Sequence, residues 1–458
     1  MIPGKLGRAI LDIRKEEWPL ATRMSAYFFL VITSFWILKP LKKTLFVVFY
    51  DQTSFGPMLW NAAQAEQLAK VLNMGVAVLA VVAFSMLSGR LRRQQLSYAI
   101  TGFFIVAYGA FAYVLRDPGA VAIWSFYLFG DLFSTLMVAT FFAFLNDSLT
   151  PDSAKRLFGL VGLGGVFGGF FGSTVVRMFI DALTLPQWLA VTALLGVAIL
   201  FLAASAGRRV PKRRQLDEVE EVSPPAASQN PALRGARLVW KSPYLMSIAI
   251  IVGVYEIVST VLDFQFTSAL GHVLDGEAIG RHIGSVYAFT NGLSLFVQLF
   301  LTSYLMRRFG LVVALSLLPL LLAGGSAGFL LAPSLAFGSL LSVTDNALNY
   351  SLNQSSKEAL YVPTTREEKY QAKAFIDMFV QRFAKALAVG VSLLVTTVFT
   401  DFADVRWLSL ILVPFFGVWL LATQRAGRGF GAREDAAANI EEDERGARLP
   451  DGAHPART

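Results

Sequence analysis

Three lysines crowd around one proline in the stretch FWILKPLKKTLFVVFY: Lys39, Lys42 and Lys43, with Pro40 between the first two. The apolar residues before them, Ala26 to Leu38, make only about 20 Å of helix at 1.5 Å per residue, too short to cross a bilayer. The lysines therefore fall inside the span rather than beyond it. Lys39 shares a helix face with Lys42 and Lys43, at spacings of three and four. Pro40 removes a backbone donor and can kink the helix there. Clustered ammonium groups in a low dielectric repel one another until an anion joins them, which is the chemistry of an anion site. The competing reading is that the lysines snorkel to the outer headgroups.

An ionisable side chain at membrane depth is costly and marks a functional position by default. Asp131 sits mid-run in YLFGDLFST, and Glu256 and Asp263 lie seven apart in VYEIVSTVLDFQF, hence on one face. These acids could pair with the lysines or couple protons. The run SVTDNALNYSLNQSSKEALY is unusually polar. In it Asn346, Asn349, Tyr350 and Asn353 follow one helix face, with Lys357 one turn on. A stripe of amides facing lipid would leave donors unpaired, so it faces the bundle interior. It could bind neutral parts of a ligand or join helices. Further on come Lys373, Asp377, Gln381, Arg382 and Lys385, of which Asp377, Gln381 and Lys385 share a face; a salt bridge between helices is the alternative to a binding role.

The elements that must hold these residues follow from composition. The 458 residues are 55% hydrophobic and only 16% charged, against about 25% charged in soluble domains. The apolar residues fall in continuous runs of roughly 20, the length of a membrane-crossing helix, and do not alternate as barrel strands would. Spans are expected near 25–49, 66–88, 96–115, 121–146, 157–180 and 186–206, then near 244–269, 282–306, 310–332, 334–354, 373–399 and 405–424. The fold class is thus an all-α membrane protein of about twelve helices in two six-helix halves. Residues 1–24 form an N-terminal segment with no cleavable signal evident, 25–206 the first half, 207–242 a linker, 243–424 the second half, and 425–458 a charged tail expected to be disordered. Lys and Arg concentrate in every second loop: GRLRRQQ, Lys155 with Arg156, the linker's Arg208 to Arg214, and Arg307 with Arg308. That bias puts both termini and the linker in the cytoplasm, and it accounts for the net charge of +8 without a nucleic-acid partner.

Other chemistries are excluded. The chain has no cysteine and three histidines, none deep in an apolar run, so no disulfide, metal centre or cofactor is expected. No nucleophile–base pair suggests an enzyme. The glycine-rich GLVGLGGVFGGFFG reads as a close-packing helix face; no Lys-Ser/Thr follows it, so it is not a phosphate loop. The bilayer and a small anion are the expected partners, and a monomer is the expected state.

Six spans, a long basic linker and six more spans is the layout of the major facilitator fold, whose halves are repeats with the substrate site between them. FLNDS at the end of the fourth span and SLNQS at the end of the tenth give a faint internal echo. The segment YSLNQSSKEALYVPTTREEKYQAKAFIDMFVQRFAK resembles the tenth and eleventh spans of the nucleotide (ATP/ADP) carrier family of bacteria and plastids. The matching positions are Tyr350–Leu352, Lys357–Glu358, Tyr361 with Pro363, Lys373–Asp377, and Arg382 with Lys385. FLNDSLTPDSAKRLFGLVGLGG, WILKPLKKTLFVV and KSPYL are similar to further family segments. The resemblance implies that the family's intramembrane charges fall on Lys42, Asp131, Asp263 and Lys357. Both acids are Asp where the family has Glu, Lys39 and Lys43 replace a flanking Arg and Asp, and Phe266 and Thr267 replace an aromatic and a Lys.

The expectation is a secondary transporter of anionic, phosphorylated substrates, exchanging ATP/ADP or other nucleotides across the bacterial inner membrane. Phosphates would meet Lys39, Lys42 and Lys357, with Arg382 and Lys385 as further candidates. Asn346, Asn349, Tyr350 and Asn353 would contact neutral parts of the substrate. Asp131, Asp263, Glu256 and Asp377 would pair charges or gate the halves. The alternatives are a carrier of another organic anion on the same fold and a non-transporting membrane sensor or scaffold. Because the chain lacks cysteine, its topology is directly testable: single cysteines in the 51–60 loop and in the 207–242 linker should label from opposite faces of the membrane, and labelling from the same face contradicts the twelve-span layout.

Overall fold

The computed structural model describes residues 14, 16–51, 61–88, 90–149, 151–208, 231–365, 368–399 and 401–447. Among them, ten helical runs are long and apolar enough to cross a membrane. One of these, Glu277–Leu331, has 55 residues, enough for two crossings, and breaks at Gly310, where φ is 82°. Only glycine adopts that backbone freely, so the turn between the eighth and ninth spans sits there. The stretch 335–360 is helical but too polar to stand among the ten. With these two adjustments the crossings number twelve.

The first half comprises Trp18–Asp51, Ala62–Ser88, Arg93–Val114, Ala120–Ser148, Pro151–Phe179 and Leu185–Gly207. The second comprises Pro243–Val273, the two crossings of Glu277–Leu331, the tenth span, the eleventh ending in Gln381–Val398, and Trp407–Ala447. Each half has its own apolar core. One gathers Phe104, Phe126, Phe133 and Phe141; the other gathers Leu262, Phe264, Phe329 and Trp419. A third cluster joins the halves: Phe46 and Tyr50 of the first span and Tyr127 of the fourth meet Phe266, Ile279 and Tyr287 of the seventh and eighth.

The glycines of the fifth span bring it against the first. A Cβ at Gly164 would lie 2.4 Å from the Ser25 carbonyl oxygen, at Gly168 2.5 Å from that of Phe29, and at Gly172 2.6 Å from that of Thr33. Backbone thus meets backbone along about two turns, the close approach that small residues permit in membranes.

The boundaries differ from the expected ones at both ends. The first helix begins at Trp18, so part of the expected N-terminal segment belongs to the first span. The linker contains a helix, Pro231–Lys241; residues 209–230 lie outside the described residues. The last helix runs to Ala447, so the stretch expected to be disordered from Arg425 is helical that far. Its extension is anchored: Arg433 donates to both Glu368 oxygens, at 2.9 and 3.1 Å, and its guanidinium lies 4.5 Å from the Tyr244 ring centre. Charge content predicted solvation, but a paired arginine extends the helix against the rest of the second half.

Wide π-turns interrupt the tenth span at Asn349–Asn353 and the eleventh at Glu368–Ala372 and Ile376–Val380. Such turns cluster at functional sites because they redirect side chains that a regular helix would stack.

Gly168→Ala should destabilise the fold by about 1–3 kcal/mol through overpacking, read as a lower Tm in detergent. Gly162→Ala, with nothing within 4 Å of its Cβ, should leave the Tm unchanged.

Candidate functional site

The first span runs helically through Pro40 and carries its three lysines into the space between the halves. Lys42 is 6% exposed and ion-pairs with Asp131 of the fourth span, while its ammonium lies 4.4 Å from the Tyr127 ring centre. Asn73 donates to the other Asp131 oxygen. Gly130 makes room for this: a Cβ there would lie 2.7 Å from Lys42 Cδ. Lys43 is 4% exposed and reaches Asp263 of the seventh span at 2.9 Å and Glu66 of the second at 3.3 Å. Lys70 takes the second Asp263 oxygen. Glu66 is completed by donors from Tyr127 at 3.0 Å and Thr267 at 2.9 Å. An ionic network therefore crosses from the first half to the seventh span. These lysines pair inside the bundle and do not snorkel.

Lys39 is different. Its ammonium lies 4.6, 5.0 and 5.6 Å from the ring centres of Trp36, Tyr287 and Tyr350 and donates to the Tyr350 hydroxyl at 3.3 Å. Among the described residues no carboxylate forms an ion pair with it. Aromatic faces stabilise a cation without cancelling its charge.

The second half supplies the facing wall. Gln381 donates to Glu256 at 2.5 Å, and Lys385 lies 3.6 Å from the same carboxylate. Asn346 and Asn349 line the cavity beside Tyr350. Asn346 donates to the Ser342 carbonyl at 2.9 Å, and Asn353, buried, to Asn349 at 3.0 Å. Arg382 donates to the Met74 carbonyl across the halves at 3.2 Å. Lys357 lies outside the cavity wall, over Tyr255 at 5.2 Å.

These groups enclose a cavity of about 390 Å³, within the range of small-molecule sites. A second cavity of about 320 Å³ shares Lys70, Asp131, Gln381 and Lys385 with it and adds Asn73, Arg382 and Asp377. The main cavity is lined by five lysines and five carboxylates, so its formal charges match when all are ionised.

Sequence reading missed Glu66, Lys70, Asn73 and Asp345. Glu66 and Lys70 open the second apolar run and read as its boundary, although their i,i+4 spacing puts them on one face. Asp345 lay inside the polar tenth span, overshadowed by its amides.

The Major Facilitator Superfamily model matches residues 8–355. The chain belongs to the Major Facilitator Superfamily. A TLC ATP/ADP transporter model matches residues 327–430, the region of the tenth to twelfth spans. Among relatives, the ADP,ATP carrier protein 2, chloroplastic, of Arabidopsis thaliana is 25% identical over 87% of this chain and 72% of its own length. The ADP,ATP carrier protein 1 of Chlamydia pneumoniae is 23% identical over 94% and 95%. The crystal structure of the nucleoside transporter NupG aligns with TM-score 0.62 at 14% identity, covering 89% of this chain and 98% of that one, which supports the facilitator fold. This facilitator is a membrane transporter, not an enzyme.

The network makes a stability prediction. Asp263→Asn strands the Lys70 ammonium, leaves Lys43 with Glu66 alone, and should cost about 3–5 kcal/mol, seen as a large fall in Tm. Adding Lys70→Gln should recover much of that loss, because Lys43 keeps Glu66. No recovery would mean that the Lys70–Asp263 pair does not hold the halves.

Proposed function

We propose that this facilitator exchanges nucleotides, adenine nucleotides first among them, across a bacterial inner membrane, with both termini cytoplasmic. The observation that carries the reading is the match of residues 327–430 to the TLC ATP/ADP transporter model. That segment supplies Asn346, Asn349, Tyr350 and Lys385 to the cavity wall opposite Lys39. The arginine- and lysine-bearing loops in every second connection support the orientation. No GxxxxGK[ST] loop occurs in the sequence, consistent with transport driven by exchange or a gradient.

The chemistry follows from the charges. Lys39 has no carboxylate partner among the described residues, so a phosphate meets an unsatisfied cation there. Lys42, Lys70 and Lys385 can trade a carboxylate for a phosphate oxygen. Each trade loosens a pair, and trades at Lys70 loosen a pair that joins the halves. Binding and rocking of the halves are thereby linked, as alternating access requires. Arg382 extends the cationic path through the second cavity, and Lys357 stands beyond the wall as a further cation. Tyr350, Asn346 and Asn349 are placed for the neutral part of the substrate. Asp131, Asp263 and Glu256 hold the lysines until substrate arrives. The cation at Lys43, where the carriers it resembles have an Asp, favours a second reading: another organic anion on the same fold.

Proteoliposomes loaded with ADP should take up labelled ATP saturably, and uptake should weaken as salt rises. Lys39→Gln should lower kcat/KM at least ~10-fold, about 1.4 kcal/mol, with the protein still folded. Absence of nucleotide uptake together with exchange of a different organic anion would select the second reading.

A further inference from the structure

Four of the five carboxylates lining the cavity have a cation. Asp131 has Lys42, Asp263 has Lys43 and Lys70, Glu66 has Lys43, and Glu256 has Lys385. The fifth, Asp345 of the tenth span, has none among the described residues. It is 3% exposed. Its Oδ2 accepts from the Ser259 hydroxyl at 2.6 Å, the Tyr255 hydroxyl lies near the carboxyl, and among the described residues its Oδ1 is buried without a partner in hydrogen-bond geometry. The other groups lining the same cavity do not supply a counter-charge. On the seventh span these are Tyr255, Glu256 and Asp263, two of them acids. Tyr287 of the eighth span and Tyr350 of the tenth are neutral. Lys39 of the first span is held among aromatic rings, and Lys385 of the eleventh is paired with Glu256.

An ionised carboxylate so placed would be an uncompensated charge at membrane depth, which is strongly disfavoured. A proton on Oδ1 removes that charge and turns an orphan acceptor into a donor. We propose that Asp345 is a proton-binding site whose occupancy sets the charge of the cavity and travels with the substrate anion. This rests on the nucleotide-exchange reading above. With the proton bound, the cavity holds five ammonium groups against four carboxylates, and Lys39 is the surplus cation facing the substrate. With the proton released, the charges balance and the anion is held less well. The step is a protonation alone: an O–H bond forms at Oδ1 with a proton delivered by hydronium from bulk solvent on one side and breaks to return it to solvent on the other. Two nucleotides that differ by one phosphate differ in charge, and the proton accompanies the more highly charged one.

Two measurements on the full chain test this. In proteoliposomes loaded with ADP and a trapped pH dye, with the membrane potential clamped, labelled ATP uptake and lumenal pH are read together. Wild type should acidify the lumen in proportion to ATP taken up, whereas ATP-for-ATP exchange should move no net proton. In Asp345→Asn the acidification per ATP should fall to the background set by the nucleotides themselves. ATP uptake without acidification in wild type, or the same ratio in Asp345→Asn, overturns the proposal. The second measurement needs no substrate. Infrared spectra of purified wild type at neutral pH should contain a protonated-carboxyl band that Asp345→Asn removes and Asp345→Glu shifts. An unchanged band overturns the proton site. Failure of nucleotide flux alongside a band that Asp345→Asn removes would instead refute the nucleotide reading and keep the site.

Discussion

The buried ionic network around Asp263 is the constraint on which the rest of this structure depends. Lys43 and Lys70 come from the first half and converge on one carboxylate of the second, with Glu66 beside them. Buried charges of this kind are costly unless paired or otherwise compensated, so the network obliges the two halves to stay in register where it crosses between them. It also obliges the helices that carry it to be close. The glycines of the fifth span let it lie against the first, and Gly130 leaves room for the Lys42 stem beside Asp131.

A transporter needs contacts that hold strongly yet can be exchanged. Replacing a lysine–carboxylate pair by a lysine–phosphate pair keeps each ammonium compensated, so the exchange avoids the full cost of exposing a bare charge. An apolar seam of the same area would offer no such substitution. The aromatic surround of Lys39 adds a cation that is stabilised but not neutralised, which gives an incoming anion a first partner before any pair has to open. On the proposed reading, function resides in the one cation of an otherwise paired set that has no carboxylate partner among the described residues.

Much of this was legible in the sequence. Twelve apolar runs, alternating basic loops and the central linker define the facilitator layout, because membrane thickness and charge asymmetry act on every span alike. The lysines of the first span stood out because too few apolar residues precede them. Partner choice was not legible. Lys43 reaches Asp263 and Lys42 reaches Asp131, but spacing along one helix cannot say which neighbour faces which lysine. Glu66 and Lys70 were hidden at the edge of an apolar run, and Asp345 among amides. The helix past Arg425 was missed for a related reason: composition registers charge, whereas order there depends on Arg433 meeting Glu368 across the second half. The widened turns of the tenth and eleventh spans leave no pattern that periodicity detects.

The central claim is that substrate anions open the charge-paired seam between the halves. It is tested most directly by distance measurement between spin labels at Thr184→Cys in the first half and Asp401→Cys in the second, both exposed, in the otherwise cysteine-free protein. ATP should shift the distance distribution, and Asp263→Asn should shift it without ATP. A distribution that neither ATP nor Asp263→Asn alters would contradict the account.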